Sequence, residues 1–187
     1  GGGEMEEEVK RMISEKGLDR EVTLCGYLQP AQVREMMERT QIYLFTSDYK
    51  EGWGAVLNEA MNSGCAVLAS HAIGAVPFLL RHGENGLIFE SGNLRDMEEK
   101  AERLLKNAGE RRRLGGAACE TILREWNAEL AADRLAELAG KVLEADKSGS
   151  VWKAGEMVYE SGPLSAAEVI APGKMYRYLN GRAGMGE

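Results

Sequence analysis

Histidine, cysteine and positive charge are all in short supply in this sequence. Only two histidines, His71 and His82, stand in 187 residues. Neither has a second ligand-type residue at the spacing of a metal site, so no metal is expected. The three cysteines, Cys25, Cys65 and Cys119, are odd in number, widely spaced and without a CxxC pair. That pattern excludes a disulfide framework and fits reduced thiols. Cys25 and Cys65, in or beside strand-like runs, are expected to be small buried hydrophobes. Lysine and arginine total 23 against 30 acidic residues, a net charge of −7. Bulk charge of that sign attracts neither nucleic acid nor acidic lipid. No apolar run approaches the length that spans a bilayer, so no transmembrane segment is expected. No secretory leader is read at the start, and the location expected is the cytoplasm. The chain begins at Gly1 without a methionine and is expected to be a fragment or a processed chain.

Hydrophobic residues make up 44% of the chain, enough for a core. The length suits one domain, expected over residues 1–147, and an extended tail over 148–187. Beyond Lys147 the composition turns rich in glycine and proline, with one short helix expected near 164–170. Before it, helices and strands alternate. A helix opens the chain, with acids in its first turn and Gly17 as its cap. VTLCG, residues 22–26, reads as a short strand, and AQVREMMERT, 31–40, as a helix. IYLF, AVLA at 66–69 and LIFE at 87–90 are continuous apolar runs, the signature of strands covered on both faces. AVPFLLRHGENG holds a short helix and an Asn85-Gly86 turn. Two charged helices, 94–108 and 110–125, are expected to part near Ala108-Gly109. An amphipathic helix follows from about 127 to 145. The fold class is therefore α/β, a Rossmann-like, mostly parallel sheet flanked by helices. Ligands of such sheets bind beyond the carboxyl ends of the strands.

The stretch EGWGAVLNEAMNSG, residues 51–64, lies at that edge. It reads as a helix over 53–63, entered through Gly52-Trp53-Gly54. Val56, Leu57, Ala60, Met61 and Gly64 share the face that should pack on the sheet. Glu59 lies at the border of that face, between the small Ala55 and Ser63. Glu51 precedes the helix. Unpaired amides at Gly52 to Ala55 would suit an anion such as phosphate. The glycines beside Trp53 would let a ligand come close to the backbone. An ionised carboxylate accepts from two neighbouring hydroxyls at once. Two of them flanking one phosphate site suit a nucleotide sugar. On its own, a pair of glutamates eight apart is usually solvated. The strand, the glycines and the helix around this pair lift it above that. His71, His82 and Trp126 read as a loop histidine, an exposed loop residue and a packing residue at a helix start.

FTSDYKEGWGAVLNEAMNSGCAVLAS, followed by GAVP and GENGLIF, resembles the C-terminal nucleotide-sugar domain of retaining GT-B glycosyltransferases, the group-one (family-four) type. The likeness covers roughly residues 20–145 and includes an EGFG-like loop, an E-x7-E pair, a Gly-x-Pro segment and a GxNG strand. It implies transfer of a hexose from a nucleotide-sugar donor with retention, in bacterial-type polysaccharide or glycolipid synthesis. No metal or other cofactor is obligatory. By position, Glu51 would be the catalytic-site carboxylate on the donor hexose hydroxyls. The backbone of Gly52, Trp53, Gly54 and Ala55, with Val56 beside it, would meet the donor phosphates or sugar. Glu59 would bind the ribose, and Tyr27 would sit near the base. The resemblance also implies that a first strand and an acceptor domain lie outside this chain. A sugar or lipid-linked acceptor would bind there, and the enzyme could touch the inner membrane face. Phe78 stands where the family often has an acid after the proline. Two other readings compete. One is a non-catalytic nucleotide-binding or interaction module of the same fold. The other is a dinucleotide-binding dehydrogenase domain, weak because GGGEME lacks a preceding strand and the GxGxxG spacing.

Overall fold

The computed structural model describes residues 2–147; the expected tail and its short helix lie outside the described residues. The chain divides into two compact units, Gly1–Arg39 and Thr40–Glu187. The first holds α1 (Glu6–Glu15) and α2 (Pro30–Arg39). Three glutamates fill the first turn of α1, where the helix dipole favours them, and Glu6 and Glu7 both pair with Lys10. Gly17 follows α1 with a φ of 65°, as a helix-ending glycine should. Residues 22–26 form no strand. A strand exists through its ladder, and β-branched composition cannot replace a paired neighbour. Val22 and Leu24 are exposed, and so is Cys25, which is not the buried hydrophobe expected.

The second unit builds β1 (Ile42–Phe45), α3 (Val56–Asn62), β2 (Ala66–Ser70), α4 (Val76–Leu79), β3 (Leu87–Phe89), α5 (Leu94–Lys106), α6 (Ala108–Glu125) and α7 (Ala128–Lys147). The strands form one parallel sheet in the order β1-β2-β3. Ile42 pairs with Ala66, and Leu68 with Leu87. Every residue of β2 and β3 is buried, so these strands are covered on both faces. β1 departs from expectation. It is an edge strand, and Leu44 is 44% exposed although its neighbour Leu68 is fully buried. On one face, Ala66, Leu68, Leu87 and Phe89 pack with Leu104 of α5 and Leu114 of α6.

Two boundaries differ from the sequence reading. α5 and α6 part at Asn107, whose side chain accepts the Glu110 N–H at 2.9 Å. A capping side chain thus fixes the break, where glycine had been expected to. The Asn85-Gly86 turn is also more than a turn. Asn85 is 1% exposed; its side chain accepts the Arg81 N–H and donates to the Leu79 carbonyl and to Thr121 Oγ1. One buried amide therefore ties α4, the turn and α6 together.

His82 is half-buried, where an exposed loop residue had been expected. Its Nδ1 accepts the Ile88 N–H at 3.0 Å, joining the turn to β3. Burial pushes its pKa down, Lys100 and Arg103 push the same way, and Asp96 opposes them. In the unfolded chain a histidine titrates near about 6.5. Below that pH the unfolded chain takes up a proton that folded His82 refuses. Stability therefore falls as pH drops from about 6.5 to the lowered folded value, and then levels off. Urea unfolding between about pH 7 and pH 5 should show this slope, and His82→Gln should flatten it. An identical slope in the variant would contradict the assignment.

Candidate functional site

The carboxyl end of β1 opens into the loop that carries the glutamate and glycine motif. Asp48 starts it as a turn: its side chain accepts the Lys50 N–H at 2.8 Å and its carbonyl accepts the Glu51 N–H at 3.0 Å. Thr46, Ser47, Asp48, Lys50 and Glu51 line a cleft of about 370 Å³, in the range of small-molecule sites. Lining of that kind, two carboxylates, two hydroxyls and an ammonium, suits a ligand rich in hydroxyls.

The next four residues lie on the segment that follows β2. The Gly74 N–H donates to the Glu51 carbonyl at 3.2 Å, and the Ala75 N–H to the Trp53 carbonyl at 2.9 Å. The approach is so close that a Cβ on Gly74 would sit 1.7 Å from the Gly52 oxygen. The Trp53 carbonyl turns to that segment, while those of Gly54 and Ala55 accept the Leu57 and Glu59 N–H groups; the N–H groups of Gly52, Trp53, Gly54 and Ala55 donate to no protein acceptor among the described residues. The sequence reading explained these amides as the start of a helix over 53–63. α3 is shorter, seven residues from Val56, with Ala55 at its cap. The donors therefore belong to the loop that precedes α3 and not to a long helix; Gly52, Trp53 and Ala55 are exposed and Gly54 is buried.

The two glycines of the loop do different things. Gly52 is exposed, and a Cβ there would meet nothing within 4 Å, which leaves room for a ligand. Gly54 is buried at a φ of 85°, and a Cβ would strike Phe45 and Ile73. Its missing side chain makes room for the core, not for a ligand. Along α3, Leu57, Ala60 and Met61 are fully buried as expected, Val56 is half-buried, and Glu59 is exposed on the outer side. Glu51 is half-buried. Tyr27 lies in the first unit, 87% exposed, with its hydroxyl donating to the Gly2 carbonyl at 3.4 Å.

Tyr43 was missed from the sequence. It stands half-buried on β1, its ring 5.9 Å from that of Phe45, which supports Gly54. Burial raises its phenol pKa, and the charges of Glu59, Cys65 and Glu51 raise it further. Both glutamates therefore act on one hydroxyl, which keeps its proton and stays a donor. A polar-tipped aromatic in an otherwise apolar strand, two residues before Phe45 and so on the same face, was the available signal. His71 has a supporting role: its N–H donates to the Phe89 carbonyl, and its Nδ1 accepts the Ser91 N–H at 2.9 Å.

A parallel sheet with its ligand-facing loops at the carboxyl ends of the strands defines a Rossmann-like domain, the C-terminal half of a GT-B glycosyltransferase. The chain belongs to the glycosyl transferases group 1 family, whose sequence model matches residues 1–121. N-acetyl-alpha-D-glucosaminyl L-malate synthase of Bacillus anthracis is 29% identical over 119 residues, covering 64% of this chain and 31% of the relative. Poly(ribitol-phosphate) alpha-N-acetylglucosaminyltransferase of Staphylococcus aureus is 30% identical over 129 residues, covering 69% and 26%. A crystal structure of a TarM mutant from S. aureus, in complex with fondaparinux, alpha-GlcNAc-glycerol and UDP, superposes with a TM-score of 0.64. It shares 28% identity and covers 71% of this chain and 26% of that one. The chain thus spans about a third or less of the length of these relatives.

The backbone contact at Gly74 can be checked with two variants. Gly74→Ala must displace one of two packed segments and should cost roughly 1–3 kcal/mol. Gly52→Ala has open space and should change stability by under about 1 kcal/mol. Equal losses in urea unfolding would show that the close approach is not a constraint.

Proposed function

We propose that this chain is the donor-binding part of a glycosyltransferase that moves a hexose from a nucleotide sugar to a sugar or lipid-linked acceptor with retention. The observation that carries the reading is the row of four unpartnered amides, Gly52 to Ala55, set between Glu51 and Glu59. Phosphate oxygens are the strongest acceptors such a row could meet, and hydroxyls are what the flanking carboxylates can hold.

In this reading Glu51, at the cleft, accepts from the hydroxyls of the donor hexose and fixes the ring. As the bond from the anomeric carbon to phosphate breaks, positive charge grows on the sugar and negative charge on the leaving nucleotide. The Glu51 carboxylate faces the first, and the loop amides of Trp53, Gly54 and Ala55, with Val56 beside them, face the second. Glu59 accepts from the ribose hydroxyls, and the Tyr43 hydroxyl can donate between the two carboxylates. Residues 1–147 would form the donor domain, with an acceptor domain supplied elsewhere. No helix of the described residues is long and apolar enough to cross a membrane. The reading places the enzyme in the cytoplasm, at the inner membrane face when the acceptor is lipid-linked.

Calorimetry with UDP, GDP and NAD tests donor binding directly. A nucleoside diphosphate should bind and NAD should not; preference for NAD would end the glycosyltransferase reading. In the enzyme that carries this chain, the two glutamates should fail differently. Glu51→Gln should mainly lower kcat, because its contact strengthens in the transition state. Glu59→Gln should mainly raise KM for the donor, since the ribose is unchanged by the reaction. Each effect should be roughly 10- to 150-fold, the worth of a charge-assisted hydrogen bond. Binding without any turnover would favour the non-catalytic module.

A further inference from the structure

Three aromatic rings meet beside the loop and take no part in the reading above. The Trp53 ring lies 5.6 Å from that of Phe78 and 5.7 Å from that of Trp126, centroid to centroid, tilted by 35° and 44°. Its Nε1–H donates to Asn58 Oδ1 of α3 at 3.1 Å. The indole is thus held by α4, by α3 and by the end of α6. Phe78 stands where the family resemblance led us to expect an acid. Trp126 does not begin a helix; it closes α6, and the next residue, Asn127, caps α7 by accepting the Leu130 N–H at 2.8 Å.

A Gly-Trp-Gly segment is free to move unless something anchors it. The backbone supplies hydrogen bonds to Gly74 and Ala75, and the Gly54 carbonyl accepts the Leu57 N–H of α3 at 2.8 Å. The side chain of Trp53 adds an anchor of its own, and it remains 38% exposed. A residue that served only to fill the core would be covered more fully than this. Tilted ring pairs at these separations lie in the favourable range for aromatic contacts.

We propose that Trp126 and Phe78 are positioning residues that clamp Trp53. Through it they hold the amides of Gly52 to Ala55 in the arrangement that binds a nucleoside diphosphate. The consequence for binding rests on the donor-binding reading; the clamp itself does not. Because Trp126 sits at the α6–α7 joint, the clamp also ties the donor loop to that joint.

The test uses the whole chain with Trp126→Ala, Trp126→Phe and Phe78→Leu. Hydrogen exchange at the Gly74 and Ala75 amides reports docking, since their acceptors are loop carbonyls. Circular dichroism reports the Trp53–Trp126 pair through its exciton couplet. UDP titration well below the melting temperature reports the site. Trp126→Ala should lose the couplet, speed exchange at Gly74 and Ala75 while leaving β2 unchanged, and weaken UDP binding by about two- to tenfold. Trp126→Phe should also lose the couplet, yet restore exchange and affinity. Phe78→Leu keeps apolar volume, covers the case in which Trp126→Ala fails to fold, and should repeat the local loss. Wild-type exchange at Gly74 and Ala75 in both ring-deleting variants would overturn the clamp. So would a uniform rise across β2, the mark of a role in the core alone. If the unaltered chain binds no UDP, the donor-binding reading fails, and exchange alone decides the clamp.

Discussion

The backbone of the loop at residues 51–55 lies so close to Gly74 that no side chain fits between them, and much of the candidate site follows from that contact. Gly74 and Ala75 take the carbonyls of Glu51 and Trp53 as acceptors. Turning those carbonyls inward points the Gly52 and Gly54 N–H groups the other way, and these two, with the amides of Trp53 and Ala55, have no protein acceptor among the described residues. A polar group in that state costs free energy unless water or a ligand satisfies it, so the loop is prepared for an acceptor before one arrives. The constraint reaches into the core, because Gly54 must leave room for Phe45 and Ile73.

What holds the two facing segments in place is the sheet. β1 delivers the loop and β2 delivers Gly74, and the two strands are paired in register from Ile42 with Ala66 to Phe45 with Ala69. Their carboxyl ends are therefore level, and the segments leaving them meet. Farther along, Asn85 fixes α4 against α6 with three hydrogen bonds at a fully desolvated position. Both faces of β2 and β3 are closed, so the platform is stiff and the chemistry is left to its edge.

The apolar runs of β2 and β3 and the buried Leu57, Ala60 and Met61 of α3 were legible because each is a local pattern with a local cause. Residues 22–26 misled because strand composition was present and a ladder was not. α3 was read too long because Gly52 and Gly54 were credited with opening a helix. What Gly74 and Gly54 do depends on atoms far along the chain, which spacing cannot reveal. Tyr43, Phe78 and Trp126 were hidden for the same reason: their partners are brought to them by the fold. His82 was taken for exposed because polar neighbours in sequence conceal its bond to β3.

The central claim is that the amides of residues 52–55 are the acceptor-seeking part of this site. The direct measurement is a titration of the isotope-labelled chain with UDP, followed by amide nuclear magnetic resonance. The account predicts that the Gly52, Trp53, Gly54 and Ala55 amides shift most, together with residues beside Glu51 and Glu59, while β3 stays still. Saturable binding that leaves those four amides unmoved would contradict it.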